Sequence, residues 1–183
     1  MTQETEIKFP DHVVSKVMDV VANISQYPDV PVLIFVRGIP GSGKSTFAEF
    51  LNITFKTLGR KSFVFEADQY FMKDGKYEFD VTQLGKAHYW CEKNTKQHLH
   101  SGQVVIVANT FTRQREMNEY IKAAQDKHVP MVLFSMQNSF GSVHGVPDET
   151  MKKMSDRWAK IDREIVIDFS AVPEVKAIEN DSE

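Results

Sequence analysis

At 183 residues, with 42% apolar and 26% charged side chains, the chain has an ordinary globular composition, room for a real core and no room for a second domain. A formal net charge of −3 and a pI near 6.1 argue against generic tight binding to nucleic acid, which needs a strongly basic face, although a local basic cleft stays compatible with them. The lone Cys91 excludes an internal disulfide framework and no segment reaches membrane-spanning length; MTQETEIKFP lacks the features of a secretion signal, so a cytoplasmic location is expected.

The first predicted element is a helix over Asp11 to Tyr27 within an N-terminal extension, residues 1–30, with Val13, Val14, Val17, Val20, Val21 and Ile24 at helical spacing and Asp11 placed to cap it. Val32 to Val36 form an uninterrupted apolar run, the mark of a central parallel strand covered on both faces. Directly after it, Gly38-Ile39-Pro40-Gly41-Ser42-Gly43-Lys44-Ser45 fits G-x-x-x-x-G-K-[ST], and Thr46 begins a helix that runs to Leu58 and stops at Gly59. Glycines at this spacing let main-chain N–H groups point inward onto phosphate oxygens. Lys44 supplies charge to the β- and γ-phosphates, Ser45 can ligate Mg2+, and the positive end of the helix favours the anion further. The expected ligands are therefore ATP and Mg2+.

Ser62 to Glu66 is the second predicted strand, delivering Ala67-Asp68-Gln69-Tyr70-Phe71; Lys73 to Phe79 is too polar and irregular to predict an element. A helix is expected after Asp80, with Gln83 in a capping-box relation, as far as Ser101-Gly102. Gln103 to Ala108 is a third buried strand, which carries Asn109 and Thr110 to its end. A helix over Arg113 to Lys127 and a strand over Met131 to Met136 follow. Residues 137–147 read as a mobile lid loop containing His144, and Pro147 or Asp148 opens a helix with Met151, Met154, Trp158 and Ile161 inward. Glu164 to Phe169 alternates as an edge strand does, and 171–183 is an acidic tail expected to fray. Five strands alternating with helices predict an α/β fold of the P-loop NTPase kind: one domain, with a mostly parallel five-stranded sheet and helices on both faces. Ligands bind at the carboxyl ends of such strands, so Lys44, Asp68, Asn109 and the lid should share one rim.

The blocks RGIPGSGKST, ADQYF, GKYEFD, AHYWC, ANTFT and HGVP followed by M-x-x-R-W resemble P-loop kinases of the polynucleotide-kinase-like group, which includes the kinase domain of phage polynucleotide kinase. The resemblance covers about Leu33 to Trp158 and implies Mg2+-ATP as donor and Asp68 as the base that takes the proton from the acceptor hydroxyl. A carboxylate at the rim beside the phosphate loop suits that task on chemical grounds as well; the simpler role for Asp68 is to cap a short helix. Tyr70, with Phe71, Tyr77 and Phe79, can stack a base or pack its own loop. Arg113 and His144 are further candidates for contact with the acceptor or the phosphates.

The chain departs from that group twice. Many relatives carry an acidic residue at the end of the third strand, where this chain has Ala108-Asn109-Thr110, and many carry a lid arginine, whereas 137–147 contains no Arg or Lys. A cation there can supply a factor of a thousand or more, so Arg157, Lys152, Lys153, Arg113 and Arg115 are candidate replacements, Arg157 first because it lies in the matching block. The resemblance implies a kinase acting on a hydroxyl of nucleic acid or nucleotide, the polynucleotide 5′-hydroxyl above all. A hydroxymethylated base in DNA, a small metabolite, or a nucleotide-dependent binding module without efficient transfer are the alternatives. Oligomeric state is not legible.

Overall fold

A computed structural model describes residues 8–141 and 145–170. The expected architecture is present. Strands β1 (Val32–Arg37), β2 (Lys61–Phe65), β5 (Gln103–Asn109), β6 (Met131–Met136) and β7 (Ile165–Ile167) form one sheet in the order β2-β5-β1-β6-β7, and every pairing in it is parallel. All five strands therefore end at one rim, with β2 and β5 on one side of β1 and β6 and β7 on the other.

The apolar runs in β1 and β5 exist because helices cover both faces. On one face α1 (Asp11–Ser25) and α2 (Lys44–Thr57) bury Val13, Val17, Phe47, Leu51 and Phe55 against Ile34, Val36, Ile106 and Phe134. On the other, α3 (Leu84–His98) and α4 (Asn118–Asp126) bury Cys91, Tyr120 and Ala124 against Leu33, Phe35, Val105 and Val107. Short β7 closes the sheet beside α1, whose Lys16 and His12 bond the carbonyls of Val166 and Asp168.

Several local expectations need correction. Pro10, not Asp11, is the N-cap of α1, and Asp11 stands in the first turn, where its charge meets the positive helix end. The stretch after Asp68 is not irregular: β3 (Met72–Lys73) and β4 (Lys76–Tyr77) form a small antiparallel hairpin. Its turn residues Asp74 and Gly75 have φ of 48° and 77°, the left-handed pair that a two-residue hairpin needs. Asp80 caps a 3-10 turn over Val81–Gln83 through Thr82, and α3 ends at His98, short of Ser101. The segment from Gln114 to Met117 is likewise a 3-10 turn before α4. Helix α5 (Asp148–Asp156) buries no residue; Met151 and Met154 are half-buried, and Trp158 and Ile161 lie past its end.

Candidate nucleotide and acceptor site

The phosphate loop takes its shape from three glycines. Gly41 and Gly43 have φ of 80° and 84°, a region that an L side chain occupies only under strain. A Cβ on Gly38 would stand 2.2 Å from the Ser42 hydroxyl, which packs into that gap buried and without a hydrogen-bond partner. Helix α2 begins at Lys44, and its first bond runs from Phe47 N–H to the Gly43 carbonyl at 2.9 Å. The N–H groups of Lys44, Ser45 and Thr46 precede any intrahelical acceptor, so they are available to an anion. Loop and helix end thus fit a phosphate chain. The Lys44 ammonium lies within the pocket: burial lowers its pKa, and the charges of Glu66 and Asp68 oppose that shift.

Two carboxylates reach this pocket from the end of β2. Ser45 donates its hydroxyl proton to Glu66 Oε2 at 2.8 Å. Burial raises the Glu66 pKa, while Ser45 and Lys44 pull it back down. Asp68 is half-buried in the 3-10 turn Ala67–Phe71, and the Tyr77 hydroxyl on β4 donates to its Oδ1 at 3.4 Å. That turn is fixed from β5, since Ala67 N–H donates to Asn109 Oδ1 at 2.9 Å and Asn109 Nδ2 contacts Cys91 Sγ at 3.4 Å. Asn109 is therefore buried and internally committed. Tyr70 is half-buried, with its ring centroid 5.6 Å from Phe71 and 6.5 Å from Trp90.

A cationic corner lies at the end of β1, on the residue before the loop. Arg37 is fully buried; it donates to Glu164 Oε2 and the Ala159 carbonyl at 2.9 Å, donates to the Thr112 carbonyl at 3.1 Å, and stacks 3.8 Å from the Trp158 ring. The same contacts draw Arg113 and Arg157 together: Arg113 Nε donates to the Arg157 carbonyl at 3.2 Å, and the Arg157 side chain is exposed. Past the end of β6, the Phe140 N–H donates to the Gly41 carbonyl at 2.8 Å. Its exposed ring lies against Gly43 and 5.5 Å from Phe169, while Asn138 bonds the main chain of Ile167 and Phe169. The start of the lid is thus tied to the phosphate loop. His144 lies outside the described residues.

Sequence reasoning named Lys44, Ser45, Asp68, Asn109 and Arg157, and Tyr77 as a ring to stack a base or pack its loop, but missed Glu66, Arg37, Phe140 and the Tyr77 hydrogen bond to Asp68. The signals were faint: a carboxylate two residues before Asp68, and an arginine closing an otherwise apolar strand against Gly38. Among the described residues no group of three or more His, Cys, Asp or Glu forms a metal cage. No described helix is long and apolar enough to cross a membrane.

Comparison with known proteins agrees with this pocket. The AAA_33 family, described as an AAA domain, matches residues 33–139. NEDD4-binding protein 2 of Homo sapiens is 32% identical over 154 residues, which cover 78% of this chain but 8% of that protein, so the chain spans a small part of this relative. An uncharacterized protein of Pasteurella multocida is 25% identical over 135 residues, covering 67% of this chain and 73% of its own length. Two solved structures share the fold. Chaetomium thermophilum Kti12 in complex with ADP-AlF3 has a TM-score of 0.59 at 11% identity, with 75% of this chain and 89% of that one covered. APE1195 has a TM-score of 0.58 at 16% identity, with 78% and 87% covered. The chain belongs to the AAA_33 family and has the P-loop NTPase fold.

Proposed function

We propose that the protein is an ATP-dependent kinase that transfers the γ-phosphoryl group to a hydroxyl of a nucleic acid or nucleotide, with the polynucleotide 5′-hydroxyl as the favoured acceptor. The observation that carries this reading is that Glu66, which caps the short turn holding Asp68, accepts from the Ser45 hydroxyl of the phosphate loop at 2.8 Å, so a candidate base stands beside the loop. Kti12 was solved with ADP-AlF3 on the same fold, which supports a nucleotide as the loop's ligand.

In this mechanism Lys44 and the N–H groups of Gly41, Gly43, Lys44, Ser45 and Thr46 hold the phosphates, while Gly38, Pro40, which has no N–H, and Ser42, whose N–H donates to the Ile39 carbonyl at 3.1 Å, shape the loop around them. Asp68 accepts the proton of the acceptor hydroxyl as that oxygen bonds to the γ-phosphorus. The bond from phosphorus to the β–γ bridging oxygen breaks, releasing ADP. Tyr77 orients Asp68, and Asn109 positions the turn that carries it. Mg2+, when bound, neutralises phosphate charge, and Ser45 is a side chain that would hold it. Arg157, with Arg113 beside it, supplies the cation missing from the lid. Tyr70 and the aromatic hairpin line the acceptor side. Since β2 and its carboxylates lie on one side of β1, the nucleoside end of ATP falls on the β6–β7 side, where Phe140 and Phe169 offer rings to the base.

Ala108, where related kinases carry a carboxylate, favours a second reading as a nucleotide-dependent binding module. Labelled γ-phosphate ATP offered to 5′-hydroxyl DNA and RNA, hydroxymethylated DNA, nucleosides and small alcohols separates the readings, with Lys44→Ala as control. Transfer to a 5′-hydroxyl end is expected. Transfer only to a modified base or metabolite would move the acceptor class, and tight ATP binding without transfer would establish the module.

A further inference from the structure

The end of β5 offers a cation nothing. Ala108 is buried among the side chains beneath α2, and the amide of Asn109 is spent on Ala67 and Cys91. Glu66 stands at the end of β2 with its carboxylate on the hydroxyl of Ser45. Two oxygens in neighbouring positions of an octahedron with bonds of about 2.0–2.1 Å are about 2.9 Å apart. Ser45 Oγ and Glu66 Oε2 are separated by 2.8 Å.

We infer that Glu66 and Ser45 together form the protein's share of the Mg2+ site, so that the carboxylate absent at Ala108 is supplied from β2. This rests on the reading of the loop as a nucleotide site. The charged groups around the pair are Lys44, Asp68 and Glu49, of which Glu49 is held by both of its oxygens to Asn52. A triphosphate facing Lys44 thus meets a carboxylate and a hydroxyl already spaced as adjacent ligands. With a divalent cation bound, the Glu66 carboxylate and the Ser45 hydroxyl oxygen would be the side-chain groups that hold it, and the cation would neutralise phosphate charge. A purely structural Ser45–Glu66 bond predicts something different, because glutamine also accepts from Ser45.

The test uses the full chain, Mn2+ as the probe and a non-hydrolysable ATP analogue. Free Mn2+ is counted by electron paramagnetic resonance, and analogue affinity is measured separately in EDTA. Glu66→Gln is expected to weaken Mn2+ binding to the analogue-bound protein by about 10- to 100-fold. Its metal-free analogue affinity should stay within about twofold of wild type, and Glu66→Asp, which keeps the charge, should lose less Mn2+ affinity than Glu66→Gln. Circular dichroism checks folding, and if Glu66→Gln unfolds, Glu66→Ala takes its place: weakened Mn2+ affinity at unchanged metal-free analogue affinity upholds the inference, and unchanged Mn2+ affinity overturns it. Unchanged Mn2+ affinity in folded Glu66→Gln overturns it, as does an equal loss of metal-free analogue binding, which would mean a collapsed pocket. A wild-type protein that binds no analogue with or without Mn2+ refutes the nucleotide reading itself, and this inference with it.

Discussion

The phosphate loop after β1 and the turn after β2 come together at Ser45 and Glu66 although their strands are not neighbours, β5 lying between β1 and β2. The bridge is Asn109, which fixes the Asp68 turn by accepting from Ala67 N–H. Asn109→Ala orphans that buried donor and should cost about 1–3 kcal/mol in thermal or chemical unfolding. It should also lower kcat while ATP affinity, measured by calorimetry, stays unchanged; equal losses in both would mean that Asn109 supports the whole pocket. The loop was legible from sequence because spacing alone dictates its chemistry, and the place of Asp68 was legible because residues just past a strand of a parallel sheet arrive at its carboxyl rim. Glu66 and Arg37 were not legible, since their roles depend on which strands lie side by side, and strand order is not written in local pattern.

At the scale of elements, the start of the lid matters more than its length suggested. A polar, glycine-containing stretch reads as loose, yet Asn138 and Phe140 tie it to β7 and to the phosphate loop. Phe140→Ala should weaken ATP binding about 5- to 100-fold, the scale of one stacked base. Tripolyphosphate affinity should be untouched; equal weakening of both ligands would place the ring's role in shaping the loop and not in holding the base. The hairpin after Asp68 was missed for a plain reason: Asp74-Gly75 is a strong turn signal, but flanking strands of two residues each carry no periodicity. Helix α5 shows the reverse error, where apolar spacing suggested an inward face and Met151 and Met154 are only half-buried.

For the molecule as a whole, Arg37 is the point where separate segments are joined. It gathers Thr112 after β5, and Trp158, Ala159 and Glu164 after α5, onto the last residue of β1. The Arg37–Glu164 pair is buried, with side-chain exposures of 0% and 4%, so removing one partner strands the other charge. Glu164→Ala should therefore destabilise the protein by about 3–5 kcal/mol, whereas most surface substitutions cost little. Denaturant unfolding checks this, and a loss below about 1 kcal/mol would show that water enters the pair. The general architecture was readable because apolar runs, helical spacing and glycine stops all agreed. What the sequence concealed was this fastening of the α5 segment, and with it Arg113 and Arg157, to the strand that carries the loop.

The most direct test of the central claim is a single-turnover measurement of phosphoryl transfer from ATP to a 5′-hydroxyl oligonucleotide by wild type and Asp68→Asn, both saturated with nucleotide. The account predicts a rate lower by about a hundredfold or more in Asp68→Asn, with ATP affinity unchanged. A folded Asp68→Asn protein that transfers at the wild-type rate would contradict it.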